Sequence, residues 1–185
     1  MVCMWMCVST TFAQQSSDLI SSDSEVLTGK LGNGMTYYVK RQSHVKGRAD
    51  FYIIHKVGAI QENDNQRGLA HFLEHMCFKG TTHFPDNNLI AYCESLGLQF
   101  GTDLNATTRV DETVCRVSNV PTTRPSTLDS CLLILQDWSG SLSLSERKMD
   151  EERAVIQEEW RLRNHASGRL LEKHLPTLFP QSKYG

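Results

Sequence analysis

The sequence predicts an α+β fold, a mainly antiparallel sheet packed with helices, and three observations carry that prediction. Short runs of alternating polar and apolar residues sit beside turn signals, as in strands joined by hairpins. Other segments repeat their apolar residues at helical spacing. Strands cluster early with helices interspersed, an order that favours antiparallel pairing over a βαβ repeat. At 185 residues the chain is one domain by length, large enough for a real core.

The elements follow in order. Met1–Gln15 contains no charged residue, is apolar from Val2 to Val8 and ends in Thr11-Phe12-Ala13, a small-x-small cleavage pattern. A secretory signal peptide over 1–13 is expected, with the mature chain starting at Gln14 and exported. Residues 14–26 are rich in Ser and Asp and read as a mobile leader. Asn33-Gly34 is a hairpin turn signal before a strand over Met35–Lys40. Arg41–Arg48 is a polar connection, Ala49–Val57 a buried strand, and Gly58–Arg67 a polar loop leading into a helix over Gly68–Phe78. Pro85-Asp86-Asn87 starts a second helix that Gly97 stops. Leu98–Thr108 and Glu112–Ser118 alternate as two strands. Pro125 opens a helix with Leu128, Cys131, Leu132, Leu135 and Trp138 on one face. An acidic helix from Ser145 to about Asn164 and a short one over Arg169–Pro176 complete the chain.

Bulk properties exclude several functions. A net charge of −2 gives no electrostatic footprint for nucleic acid or an anionic membrane. No apolar run reaches the roughly 18 residues that a transmembrane helix needs. Of the six cysteines, Cys3 and Cys7 fall in the expected signal peptide. Cys77, Cys93, Cys115 and Cys131 lack CxxC spacing and read as buried free thiols.

The chemistry concentrates in Gly68-Leu-Ala-His-Phe-Leu-Glu-His-Met-Cys-Phe-Lys-Gly80. On a helix, His71 and His75 stack one turn apart with Glu74 in the turn between them. This H-x-x-E-H order is the inverted zincin signature, two metal ligands and a general base. Leu69, Phe72, Leu73 and Met76 are expected on the opposite, packing face. The plain alternative is a pair of ordinary surface histidines with a salt-bridging Glu74. A catalytic zinc takes three protein ligands, and the acidic helix offers the third. Met149, Val155, Ile156 and Trp160 define an apolar face there, and Glu152 and Glu159, seven residues apart, project into it. Carboxylates on a buried face need a partner. Glu159 is therefore the expected third ligand, and Glu152 a carboxylate that orients a histidine or the water. A structural ion network with Arg153 or Arg163 is the competing arrangement. His44, His55, His83, His165 and His174 lack a partner at ligand spacing and read as structural or surface residues.

Four segments also carry a resemblance: Gly29–Tyr38, His71–Gly80, Asn105-Ala-Thr-Thr-Arg-Val-Asp-Glu-Thr113 and Glu152-Arg-Ala-Val-Ile-Gln-Glu-Glu-Trp160. Together they resemble the pitrilysin/insulysin zinc peptidases, a family that includes the mitochondrial processing peptidases, and in detail its bacterial periplasmic members. The resemblance implies a mitochondrial-processing-peptidase-like metallohydrolase domain over 27–185, incomplete at its C-terminal end. It implies a periplasmic zinc endopeptidase with a single Zn2+ per chain, held by His71, His75 and Glu159. Glu74 would be its general base, and the substrate would be a peptide or unfolded polypeptide. Asn105, Ala106 and Thr107 would form the strand that receives it; Thr107 stands where the family commonly has an aromatic residue. A second homologous domain or subunit is implied as a partner. The alternative within the family is a non-catalytic peptide-binding or assembly half, which usually lacks the intact zinc motif.

Overall fold

A computed structural model describes residues 23–184. The expected signal peptide and most of the expected leader lie outside those residues. Two compact units divide the chain, one ending at His44 and the other beginning at Val45.

The first unit is a hairpin of β1 (Val26–Lys30) and β2 (Thr36–Lys40), paired antiparallel with Val26 opposite Lys40. Asn33-Gly34 makes the turn as the dipeptide predicts. Gly34 takes φ 87° without a side-chain clash, and Asn33 Oδ1 accepts from the Met35 amide at 3.0 Å. Asp23 closes the open end by pairing with Lys40.

In the second unit, β3 (Arg48–His55), β4 (Leu104–Thr108) and β5 (Thr113–Pro121) form one antiparallel sheet in the order β3-β5-β4. Ile53 faces Cys115 on one side of β5, and Ala106 faces Cys115 on the other. Five helices are described: α1 (Leu69–Met76), α2 (Asn88–Ser95), α3 (Pro125–Gly140), α4 (Glu146–Arg163) and α5 (Ala166–Leu178); α1 and α3 pack on the sheet, and α4 packs on α1. The core draws Leu104, Cys115, Val117 and Val120 from the strands and Leu89, Cys93, Cys131, Ile134 and Trp138 from the helices. This is the expected α+β arrangement. No described helix is long and apolar enough to cross a membrane.

Several local expectations shift. The strand expected over Leu98–Thr108 begins only at Leu104. Asp103 folds back so that its carboxylate accepts from the Gln99 amide at 2.9 Å, turning the chain there. In α3, Leu132 is exposed and Ile134 and Asp137 are buried instead. In α4, Val155 and Trp160 are exposed, and the buried face centres on Glu152 with Met149 and Ile156 partly covered. Helical spacing groups residues correctly; which sector turns inward depends on what the neighbouring elements offer.

Candidate metal centre

The short helix α1 owes its position to groups at both ends. At its start, Gly68 adopts φ 92°, which a side chain would strain. Glu62 then reaches back with both oxygens, accepting from the Gly68 and Ala70 amides at 2.7 Å each. A carboxylate so placed satisfies two of the orphan donors of the first turn and meets the positive end of the helix dipole. Upstream, Gly58 passes so close to Arg109 that a Cβ would lie 2.4 Å from its carbonyl oxygen. At the far end, Trp138 Nε1 donates to the Cys77 carbonyl at 3.0 Å, fixing the last turn to α3. Met76 and Cys77 are buried, whereas Leu69 and Leu73 are exposed, contrary to the expected packing face.

Against this helix lies α4. It brings Glu152, buried to 3 % exposure, and Glu159 to the two histidines that α1 carries. His71 Nε2 and His75 Nε2 stand 3.2 Å apart. Glu159 Oε2 lies 3.4 Å from the first and 3.7 Å from the second. Behind His75, its Nδ1 is 2.7 Å from Glu152 Oε1, and Lys79 Nζ is 2.7 Å from Glu152 Oε2. Burial alone would raise the Glu152 carboxyl; the bonds from Lys79 and His75 outweigh it and hold the group below the usual carboxylate range. Burial first, and the neighbouring His75 second, push His71 below the ordinary imidazole value.

These distances test whether a metal fits. Ligand atoms about 2.0–2.1 Å from a tetrahedral zinc stand about 3.3–3.4 Å from one another. The three observed separations straddle that value. The Nδ1 contact suits a metal as well: with its Nδ1 proton hydrogen-bonded to Glu152, a metal-binding His75 would direct its Nε2 lone pair into the triangle. There it meets the Nε2 of His71, an arrangement that a shared cation relieves. Two imidazoles and a carboxylate are a zinc donor set. Among the described residues, this is the group of three or more potential ligands that could hold a metal ion. The ion network weighed as an alternative is weak: Arg163 is 3.7 Å from Glu159 and exposed, and Arg153 pairs with Asp150.

The remaining expected residues lie close by. Glu74 is half-buried and, with Leu73, Cys77, Trp138 and Leu142, lines an apolar cavity of about 310 Å³. Asn105, Ala106 and Thr107 lie on β4, the sheet-edge strand, which packs against α1. The Ala106 amide bonds to the Asn105 side chain at 2.9 Å, and Thr107 is exposed. Sequence reasoning missed Glu62, Lys79 and Asp137. Asp137 is fully buried in α3 and accepts from Thr81 Oγ1 at 2.6 Å and from the His83 amide at 2.9 Å, with His83 Nδ1 at 2.8 Å from its second oxygen.

Comparison with known proteins places this geometry in context. Residues 37–183 match the family described as Insulinase (Peptidase family M16). The chain is 38% identical over 164 residues to the probable zinc protease PqqL of Escherichia coli, covering 89% of this chain and 18% of that protein. It is 36% identical over 156 residues to the zinc protease PQQL-like of Arabidopsis thaliana, covering 84% of this chain and 16% of that one. The crystal structure of the first half of the periplasmic protease PqqL from Escherichia coli superposes with a TM-score of 0.80 at 39% identity, over 87% of this chain and 34% of that one. The chain thus spans less than a fifth of the length of these curated relatives. On the family match and on identity across most of its length, the chain belongs to the insulinase family, peptidase family M16.

Proposed function

We propose that this chain is the metal-bearing part of a zinc-dependent endopeptidase that hydrolyses peptides or unfolded polypeptides. The single observation that carries the reading is the triangle of His71, His75 and Glu159 at zinc-ligand separations. In it, His71, His75 and Glu159 hold one Zn2+ per chain. A bound zinc supplies a Lewis acid that makes water acidic near neutral pH and polarises a carbonyl.

Everything else falls to the chain's own side chains. Glu74 sits between the two histidines in sequence, where a carboxylate can take the proton of an attacking water and return it to the leaving amine. Glu152 fixes the ring of His75 through the Nδ1 contact. The edge strand β4 offers Asn105, Ala106 and Thr107 for backbone pairing with an extended substrate. For Ala106 this requires the Asn105 side chain to release its amide. Recognition through the backbone suits unfolded segments and gives loose sequence preference. Relatives several times longer support a second homologous domain or subunit as the partner that completes the substrate chamber. The periplasmic description of the Escherichia coli protein supports an exported, periplasmic location.

The test is hydrolysis of quenched, unstructured peptides by this chain and its Glu74→Gln variant at matched zinc content. Cleavage by the parent that the variant loses while keeping its metal supports the peptidase. No cleavage by either, with zinc bound to both, leaves the metal site standing and assigns essential substrate-holding groups to the partner domain; equal cleavage by both removes Glu74 as the general base. A folded parent that takes up no zinc refutes the metal site.

A further inference from the structure

One side chain around the triangle is unused by the reading above, and its contacts go beyond those of a surface lysine. Lys79 lies one turn beyond the end of α1, where the chain tightens and the Lys79 amide bonds to the Met76 carbonyl at 3.1 Å. Helix α4 grips it at two points. Lys148 Nζ donates to the Lys79 carbonyl at 2.6 Å and also pairs with Asp86 at 2.6 Å. Four residues further along the same face of α4, Glu152 Oε2 pairs with Lys79 Nζ at 2.7 Å. The other oxygen of that carboxylate faces His75 Nδ1.

Resting on the zinc reading above, we infer that Lys79 is a positioning residue of the metal site: it holds Glu152 so that the carboxylate fixes the ring of His75, and it pins the helix bearing both histidines to the helix bearing Glu159. Two physical arguments support this. First, Glu152 is almost wholly buried, and a carboxylate so placed needs a full counter-charge as well as a hydrogen bond. Among the described residues, Lys79 is the lysine or arginine within ion-pair distance of it. Secondly, a carboxylate held by one partner alone can swing about its Cγ–Cδ bond. Held by both oxygens, it presents one fixed acceptor to Nδ1, and the opposite ring nitrogen then points at Glu159 and His71. The chain Lys79–Glu152–His75 therefore transmits a constraint from the α1–α4 junction to a ligand atom, although Lys79 touches neither metal nor substrate.

The experiment measures zinc affinity of the full chain by competition with a chromophoric chelator, with the d–d absorption of the cobalt-substituted chain as a second readout. Groups that hold a ligand from behind commonly contribute about 10–100-fold in metal affinity, and Lys79→Met is expected to lose about that much. Lys79→Arg, which restores the charge, is expected to recover most of it. Adding Lys79→Met to Glu152→Gln is expected to cost nothing more, because the lysine acts through the carboxylate. If Lys79→Met fails to fold, Lys79→Gln takes its place. Parental affinity and cobalt spectrum in the lysine variant, or losses that multiply in the double variant, would overturn the role of Lys79 and leave the zinc site standing. Absence of zinc binding in the parent, with no difference from His71→Ala, would overturn the site reading itself and this inference with it.

Discussion

Asp137→Ala isolates the device that anchors the segment following α1. The carboxylate is fully buried and serves three donors: Thr81 Oγ1, the His83 amide and His83 Nδ1. Thr81 is itself buried, so its hydroxyl would be left without an acceptor, whereas His83 is exposed and its amide can reach water. The His83 ring is half-exposed and can turn to water. One stranded buried donor gives a loss of about 1–3 kcal/mol. At roughly 2–4 °C per kcal/mol for a chain of this size, a loss near 2 kcal/mol lowers Tm by about 4–8 °C. The network also carries a pH signature. Burial pushes the Asp137 carboxyl up, but the bonds from Thr81 and His83 outweigh it and leave it below its ordinary value of 3.8. A depressed folded value means that its contribution is complete above pH 3.8 and is lost as pH falls through the folded value. Thermal melts of the parent, Asp137→Ala and Asp137→Asn from pH 7 downward provide the assay. A loss under about 1 kcal/mol at pH 7, short of the cost of one stranded donor, would refute the argument. So would acid destabilisation of the parent that ran parallel to that of Asp137→Asn.

Two further predictions concern the same half of the molecule. Glu62→Ala strips the two first-turn amides of α1 of their acceptor and should cost about 1–2 kcal/mol, as loss of a cap does, seen as a lower urea midpoint at unchanged slope. Glu62→Gln keeps one acceptor oxygen and should lose less; equal midpoints for the two variants would show that the carboxylate caps nothing. The core cysteines should resist alkylation in the native chain. Burial pushes Cys93 up to about 12 and Cys131 up to about 11. The hydrogen bond with Cys115, then burial, raises Cys77 as well. Thiolate at pH 8 is then roughly one part in a thousand or less at Cys93 and Cys131. Mass-spectrometric mapping after iodoacetamide should find both unmodified until denaturant is added, and rapid native labelling of either would contradict the assignment.

What the sequence revealed about the site, and what it concealed, follows from the range of each interaction. His71, Glu74 and His75 are legible because three residues on one helical turn are a local pattern. Glu159 and Glu152 are legible because seven residues return a helix to almost the same direction, and a carboxylate pair among apolar neighbours needs an explanation. The hairpin at Asn33-Gly34 is legible because the turn chemistry lies wholly within the dipeptide. Glu62, Lys79 and Asp137 had no such signature. Each acts on a group that only the folded chain brings near: Lys79 on Glu152, Asp137 on Thr81 and His83. Expectations failed in the same way at Leu69, Leu73, Val155 and Trp160, where helical spacing assigned a shared face but not the side that packs.

Charge at the triangle shows why the concealed residues matter as much as the legible ones. Glu152 and Glu159 are two carboxylates on one stripe of α4. In the fold Lys79 neutralises Glu152 at 2.7 Å, whereas Arg163, exposed and at 3.7 Å, does little for Glu159. On the proposed reading, one carboxylate orients an imidazole and the other is left to face a cation with His71 and His75. Exchanging the roles would leave an ion pair facing the imidazole nitrogens and an uncompensated carboxylate behind them. The sequence assigns Glu159 and Glu152 different roles, but the contact that would separate the two glutamates, seven residues apart, comes from a lysine just past the end of another helix.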